Sequence, residues 1–241
     1  PKKAIDAIAS FRESRVDGFI IAPPPGAAVA VQGLIDDHLP VVLFDKIIPA
    51  INADHIIINN YFSAYNATMH LIGQGCRNIA MVTVEVTQSH IQERVKGYKM
   101  AMKEIGLKAL VKELPFTRDM SALRPMLASF LKSKNKIDAI LYGTNRDALF
   151  GLKLMRDLGI CIPDDIAVVT FDHAAAFELH TPLITTVIQP VQEIAQALYD
   201  TLLGRLEFPQ CIRSKIVLHT HLSIQESSVK RYIKPVMETL A

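Results

Sequence analysis

Apolar residues in this chain fall into two alternating rhythms. Short continuous runs, Val41–Phe44, Ile79–Val84, Ala139–Tyr142 and Ile166–Phe171, suit strands covered on both faces. Longer stretches between them carry helical spacing, as at Ile5, Ile8 and Phe11. The spacing predicts helices over Lys2–Arg15, Ala27–Asp37, Phe62–Gln74, Gln92–Ile105, Ser121–Ser133, Asp147–Leu158 and Val191–Leu203. Further strands are expected at Val16–Ala22, His55–Ile58, Ala109–Leu114 and Thr185–Ile188, with a late strand over Lys215–Ile224. Pro23-Pro24-Pro25-Gly26 closes the strand before it, and Gly75, Gly106 and Gly159 end helices. A last helix is expected over Val229–Leu240, kinked or split at Pro235. Strands alternating with helices predict α/β architecture with doubly wound parallel sheets. The strands are too many for one small sheet and no low-complexity linker divides them, so two lobes with several chain crossings are expected.

Composition narrows the function classes. The 241 residues are 50% hydrophobic and 21% charged, enough for a substantial core. A net charge of +2 gives no electrostatic case for nucleic-acid or membrane binding by this segment. No apolar run reaches about 18 residues, and no signal peptide is visible. Cys76, Cys161 and Cys211 are odd in number and lack metal-ligand spacing, which fits a reducing cytoplasm with three buried or half-buried thiols. The chain opens on Pro1-Lys2-Lys3 and enters a helical pattern at once, so an upstream segment is expected.

Eight segments carry a resemblance. They are Val16-Asp-Gly-Phe-Ile-Ile-Ala-Pro23, Pro40-Val-Val-Leu-Phe-Asp-Lys46, Ala67-Thr-Met-His-Leu-Ile-Gly-Gln-Gly-Cys-Arg-Asn-Ile-Ala80, Glu93-Arg-Val-Lys-Gly-Tyr98, Thr144-Asn145, Ile162-Pro-Asp-Asp-Ile-Ala-Val-Val-Thr-Phe-Asp172, Thr181-Pro-Leu-Ile-Thr-Thr-Val187 and Leu222-Ser-Ile-Gln-Glu-Ser227. In this order they resemble the effector-binding core of the lactose-repressor (LacI/GalR) family of bacterial transcription regulators, collinear over most of residues 1–228. The resemblance implies a type I periplasmic-binding-protein fold. Its first lobe would be 1–77 plus 187–206, its second 78–186 plus 211–228, followed by a tail over 229–241, with effector held in the cleft between lobes. It also implies a homodimer and no cofactor, with operator DNA bound through an N-terminal helix-turn-helix that this sequence does not contain. The core's usual first strand, first helix and second strand are likewise not represented.

Several residues are candidates for the ligand. Asp45 and Asp172 end strands, the edge where open α/β sheets bind ligands, and acids suit vicinal sugar hydroxyls; either could instead cap a turn. Arg94 offers five fixed donors and matches the family's effector-binding arginine; on sequence alone it is an exposed helix residue. Asn145 suits a hydroxyl or caps a helix. Arg146 stands where many family members carry an acid, which favours an anionic effector such as a sugar phosphate or sugar acid, or else points to solvent. Met120 stands where relatives often stack an aromatic on the sugar, and Phe171 or Tyr142 could compensate if they are not core.

Other motifs carry less. His219-Thr220-His221 puts two imidazoles on one strand face without a third metal ligand. Gly73-Gln74-Gly75 follows no strand and is not a phosphate loop. No nucleophile–base–orienter set and no cofactor fingerprint is found, which argues against an enzyme. Leu123, Met126, Leu127 and Phe130 form a stripe that serves either a dimer contact or the lobe's own core, and Lys2–Arg15 is a second dimer candidate. The rival to a regulator core is a periplasmic sugar-binding receptor of a transport system; an upstream helix-turn-helix or signal peptide would separate the two.

Overall fold

The computed structural model describes residues 2–117, 119–133 and 136–229. Strands β1 (Phe19–Ile21), β2 (Val41–Phe44), β3 (Asp54–Ile58) and β9 (Lys215–Leu218) form one sheet in the order β1-β2-β3-β9. Strands β4 (Ile79–Val84), β5 (Leu110–Leu114), β6 (Ala139–Tyr142), β7 (Ala167–Phe171), β8 (Thr185–Ile188) and β10 (His221–Ser223) form the other, ordered β10-β8-β7-β6-β4-β5. Pairing is parallel throughout the first sheet and from β5 to β8 in the second. This is the periplasmic-binding-protein-like α/β fold. Helices α1 (Lys2–Glu13), α2 (Ala28–Asp36), α3 (Asn60–Gly73), α4 (Ser89–Glu104), α5 (Arg124–Leu131), α6 (Asn145–Asp157) and α7 (Val191–Glu207) supply the connections that parallel strands require.

Burial follows the apolar runs. Every residue of β6 and β7 is buried, whereas β5 and β9, at sheet edges, are only partly so. Leu123 and Leu127 belong to the core beneath β4 and β6, and Phe130 packs against it, while Met126 is exposed. The stripe on the predicted Ser121–Ser133 helix therefore serves mainly the core. That helix begins as a 3-10 turn, Met120–Leu123, because Pro125 sits at the start of α5.

Contacts divide the chain into two compact units: Pro1–Ser63, Val86–Gly97 and Gln189–His221 in one, Ala64–Glu85, Tyr98–Ile188 and the segment from Leu222 in the other. These boundaries differ from the expected ones. The first crossing comes within α3, not near residue 77, and 86–97 groups with the first unit. The expected late strand over Lys215–Ile224 is two strands in two sheets, β9 and β10, broken at His219–Thr220. The two histidines therefore do not share a strand face, and His219 Nδ1 lies 3.1 Å from the Asn59 side-chain amide. Cys76 is buried, but Cys161 and Cys211 are exposed, contrary to expectation, because they lie in the turns that follow α6 and α7. The helix expected over 229–240 lies outside the described residues apart from Val229.

The first unit is fastened by a buried ion pair. Arg205 of α7 donates from Nε and Nη2 to both carboxylate oxygens of Asp54 at 3.0 Å. Its Nη1 and Nη2 also donate to the carbonyls of Pro209, Cys211 and Ile212, and Asp54 accepts from the Ser214 amide at 2.7 Å. The fork thus fixes where α7 hands the chain to β9. Among the described residues, removing Arg205 would leave the buried Asp54 carboxylate with only Arg213, whose Nη1 stands 3.6 Å away, as a cationic partner. We expect Arg205→Ala to lower stability by about 3–5 kcal/mol in urea denaturation, and disruption of the exposed Lys96–Glu93 pair to change it by less than about 1 kcal/mol.

Candidate functional site

Two strands end in the same way. Val41-Val-Leu-Phe-Asp45 and Val168-Val-Thr-Phe-Asp172 repeat one string, and each aspartate takes left-handed backbone angles, with φ of 66° and 65°. Aspartate tolerates this region better than most residues. Each aspartate amide still donates to the neighbouring parallel strand, Asp45 to the Ile56 carbonyl at 3.1 Å and Asp172 to that of Val187 at 3.0 Å. The strand therefore keeps its last ladder bond while the chain turns sharply away. Both carboxylates lie half-buried at strand carboxyl ends. The repeated string was the signal that the strands were equivalent.

In the first unit Asp45 lines a cavity of about 510 Å³ together with Asn59, Asn60, His90, Gln92 and Glu93. Asn59 and Asn60 follow β3 just as Asp45 follows β2, so three polar side chains leave adjacent strand ends. Arg94, expected on the same lobe as Asn145, groups instead with Asp45. It is no exposed helix residue: at 1% exposure it lies behind the wall, where its Nε donates to Asn60 Oδ1 at 2.8 Å. A guanidinium held there orients the Asn60 amide. Asn59 is held by its own partners, its Oδ1 accepting from the Thr220 amide at 3.1 Å and the Ser63 hydroxyl at 2.9 Å. Asn59 and Asn60, just past the expected strand His55–Ile58, and His90, one turn before Arg94, were not among the candidates legible in the sequence.

In the second unit the helix cap is Thr144, not Asn145. The Thr144 hydroxyl accepts from the Asp147 amide at 3.2 Å and donates to the Asp147 carboxylate at 2.9 Å. Gly143 makes this turn possible, because a Cβ there would collide with Thr83. Asn145 is thereby released from capping, and its Nδ2 donates to the His173 carbonyl at 3.1 Å, joining the α6 start to the turn after Asp172. Arg146 does not simply point to solvent. Its guanidinium stands over the Phe116 ring at 4.7 Å and donates to Met120 Sδ at 2.9 Å. Met120, Asn145 and Arg146 line a second cavity of about 510 Å³. Tyr142 and Phe171 are both fully buried in their strands, so of the two readings open for them, ligand platform or core, burial favours core and Phe171 is not placed as a ligand residue.

Asp147, in the first turn of α6, is buried at 1% exposure. Burial lifts its carboxyl to about 6, against the opposing pull of the Thr144 hydroxyl, the Arg146 charge and the Val84 amide.

The sequence profile of the periplasmic binding protein-like domain matches residues 68–228. The chain belongs to this family, in the branch found in lactose-repressor-type transcription regulators. Over 95% of its length it is 25% identical to the transcriptional regulator DegA of Bacillus subtilis, covering 68% of that protein. It is 27% identical to the repressor PurR of Vibrio vulnificus, again over 95% of this chain and 69% of the relative. Among solved structures, a LacI family regulator of Enterococcus faecium with bound ribose superimposes with a TM-score of 0.82 at 24% identity, over 92% of this chain and 83% of that one. At that identity the likeness speaks for the fold. Both of these curated relatives are transcription regulators.

The buried acid generates a pH prediction. Because folding raises the Asp147 pKa, its contribution to stability is complete below the ordinary value of 3.8 and is lost as pH rises through about 6. Urea midpoints for wild type and Asp147→Asn, compared at pH 4 and pH 7, should show a smaller decline with pH in the variant.

Proposed function

We propose that the chain is the effector-binding and dimerisation core of a sugar-responsive, LacI-type transcriptional regulator acting in the cytoplasm. The carrying observation is the matched pair of strand-end aspartates, Asp45 and Asp172, each turned out of its strand in one unit. Asp45 lines a cavity with Asn60, and Asn145 donates to the carbonyl of His173, the residue after Asp172. Carboxylates and amides together match the donors and acceptors of vicinal hydroxyls. Arg94 acts through Asn60, which it orients. Met120 gives the ligand a soft apolar surface in place of an aromatic.

Effector binding biases the protein between conformations, and that bias changes operator affinity in a helix-turn-helix headpiece outside this sequence. The effect is bounded by the ligand's differential affinity for the two conformations, typically about 1–3 kcal/mol. The two lobes are residues 1–77 with 187–206 and residues 78–186 with 211–228, as the family resemblance implies.

Calorimetric titration across a sugar panel tests this reading. Asp45→Ala and Asn145→Ala should each weaken the effector about 10- to 100-fold, or about 1.4–2.8 kcal/mol. Arg94→Ala, which leaves Asn60 unsupported, should cost roughly 2–4 kcal/mol and Arg94→Lys less. Unchanged affinity in all of these variants would refute the site.

A further inference from the structure

The cavity of the second unit extends beyond Asn145 along one face of α6. Arg146, Leu149, Phe150 and Lys153 follow each other at helical spacing, and Arg124 enters from α5. Three cationic side chains thus meet at one concave surface of about 510 Å³, whose floor is apolar. The arrangement of charge is asymmetric. Arg124 is paired with Asp157 at 2.7 Å at the far end of α6. Arg146 is held by a ring and a thioether, and neither carries charge. These contacts fix the guanidinium in place, and its charge also acts on the buried Asp147 carboxylate. Lys153 is exposed two helical turns further along α6 and adds a second positive charge. The carboxylate closest in sequence, Asp147, is buried under the helix start and engaged by Thr144.

We infer that this cavity is an anion subsite, and that the effector is an anionic polyol: a sugar phosphate or a sugar acid. The inference rests on the reading of Asn145 as a ligand-binding residue, since Asn145 lines the same cavity and would meet the polyol while Arg146 and Lys153 meet its anionic group. A guanidinium preset by Phe116 and Met120 loses little freedom on binding, so the charge it offers is not spent on ordering the side chain. Leu149 and Phe150 supply an apolar part of the lining.

The test is calorimetry on the full chain at about 0.15 M salt, where exposed charges more than about 8 Å apart are screened. Ribose is titrated against ribose 5-phosphate, and glucose against glucose 6-phosphate and gluconate; inorganic phosphate is the competitor. An ester or acid should bind at least about tenfold more tightly than its parent sugar, a difference of about 1.4 kcal/mol. Phosphate should compete with the anionic ligand and leave the parent sugar unaffected. Lys153→Met and Arg146→Met should each return the anionic ligand to the parent's affinity without changing the melting temperature by more than a few degrees. Tighter binding of glucose 6-phosphate than gluconate identifies an ester site, and the reverse a carboxylate site.

Equal affinity for parent and anionic forms, or anionic binding untouched by both variants, overturns the inference. Binding of parent sugars alone overturns it while leaving the proposed function standing. Binding of none of these ligands overturns both.

Discussion

A parallel strand cannot be joined to its neighbour by a tight hairpin, and this constraint organises the whole chain. Each strand must release the backbone at its carboxyl end into a crossover, and all the carboxyl ends of a sheet lie along one edge. Polar side chains that a buried strand cannot hold therefore collect there. Asp45, Asn59 and Asn60 do so in the first unit, and Thr144, Asn145 and Asp172 in the second. The candidate site is the consequence of where the apolar runs stop.

Turning the chain at those ends has a conformational cost that aspartate meets with little strain. Asp45 and Asp172 adopt positive φ where glycine would be the default, and they leave a carboxylate at the turn. A glycine would turn as well but would bring no charge. The same economy appears at the start of α6, where Thr144 satisfies the helix end and frees Asn145. Buried charge follows the opposite logic. Asp54 and Arg205 neutralise each other in a bidentate fork, Arg94 leans on Asn60, and Asp147 relieves the cost of burial by a raised pKa.

Much of this was legible in the chain. Val41–Phe44, Ile79–Val84 and Ala139–Tyr142 are strands at the expected residues, because strands buried on both faces read as unbroken apolar runs. The expected strand over Lys215–Ile224 failed because alternation at an edge looks the same whether one sheet or two receives it. Arg94 was legible as important, but not as a residue behind Asn60. Helical spacing gives a face, and what covers that face comes from a residue 34 positions away. Phe171 and Tyr142 could be platforms or core by sequence; the neighbours of β6 and β7 decided for core.

By itself, the sequence determined the α/β class, the strand ends and the family, because hydrophobic period and local motifs are properties of neighbouring residues. The tertiary structure decided which polar groups stand together. It set Arg146 on Phe116 and Met120, Asn145 against the turn after Asp172, and Arg94 behind Asn60. Those pairings join segments far apart in the chain, and only packing, which charges for every buried group left without a partner, selects among them.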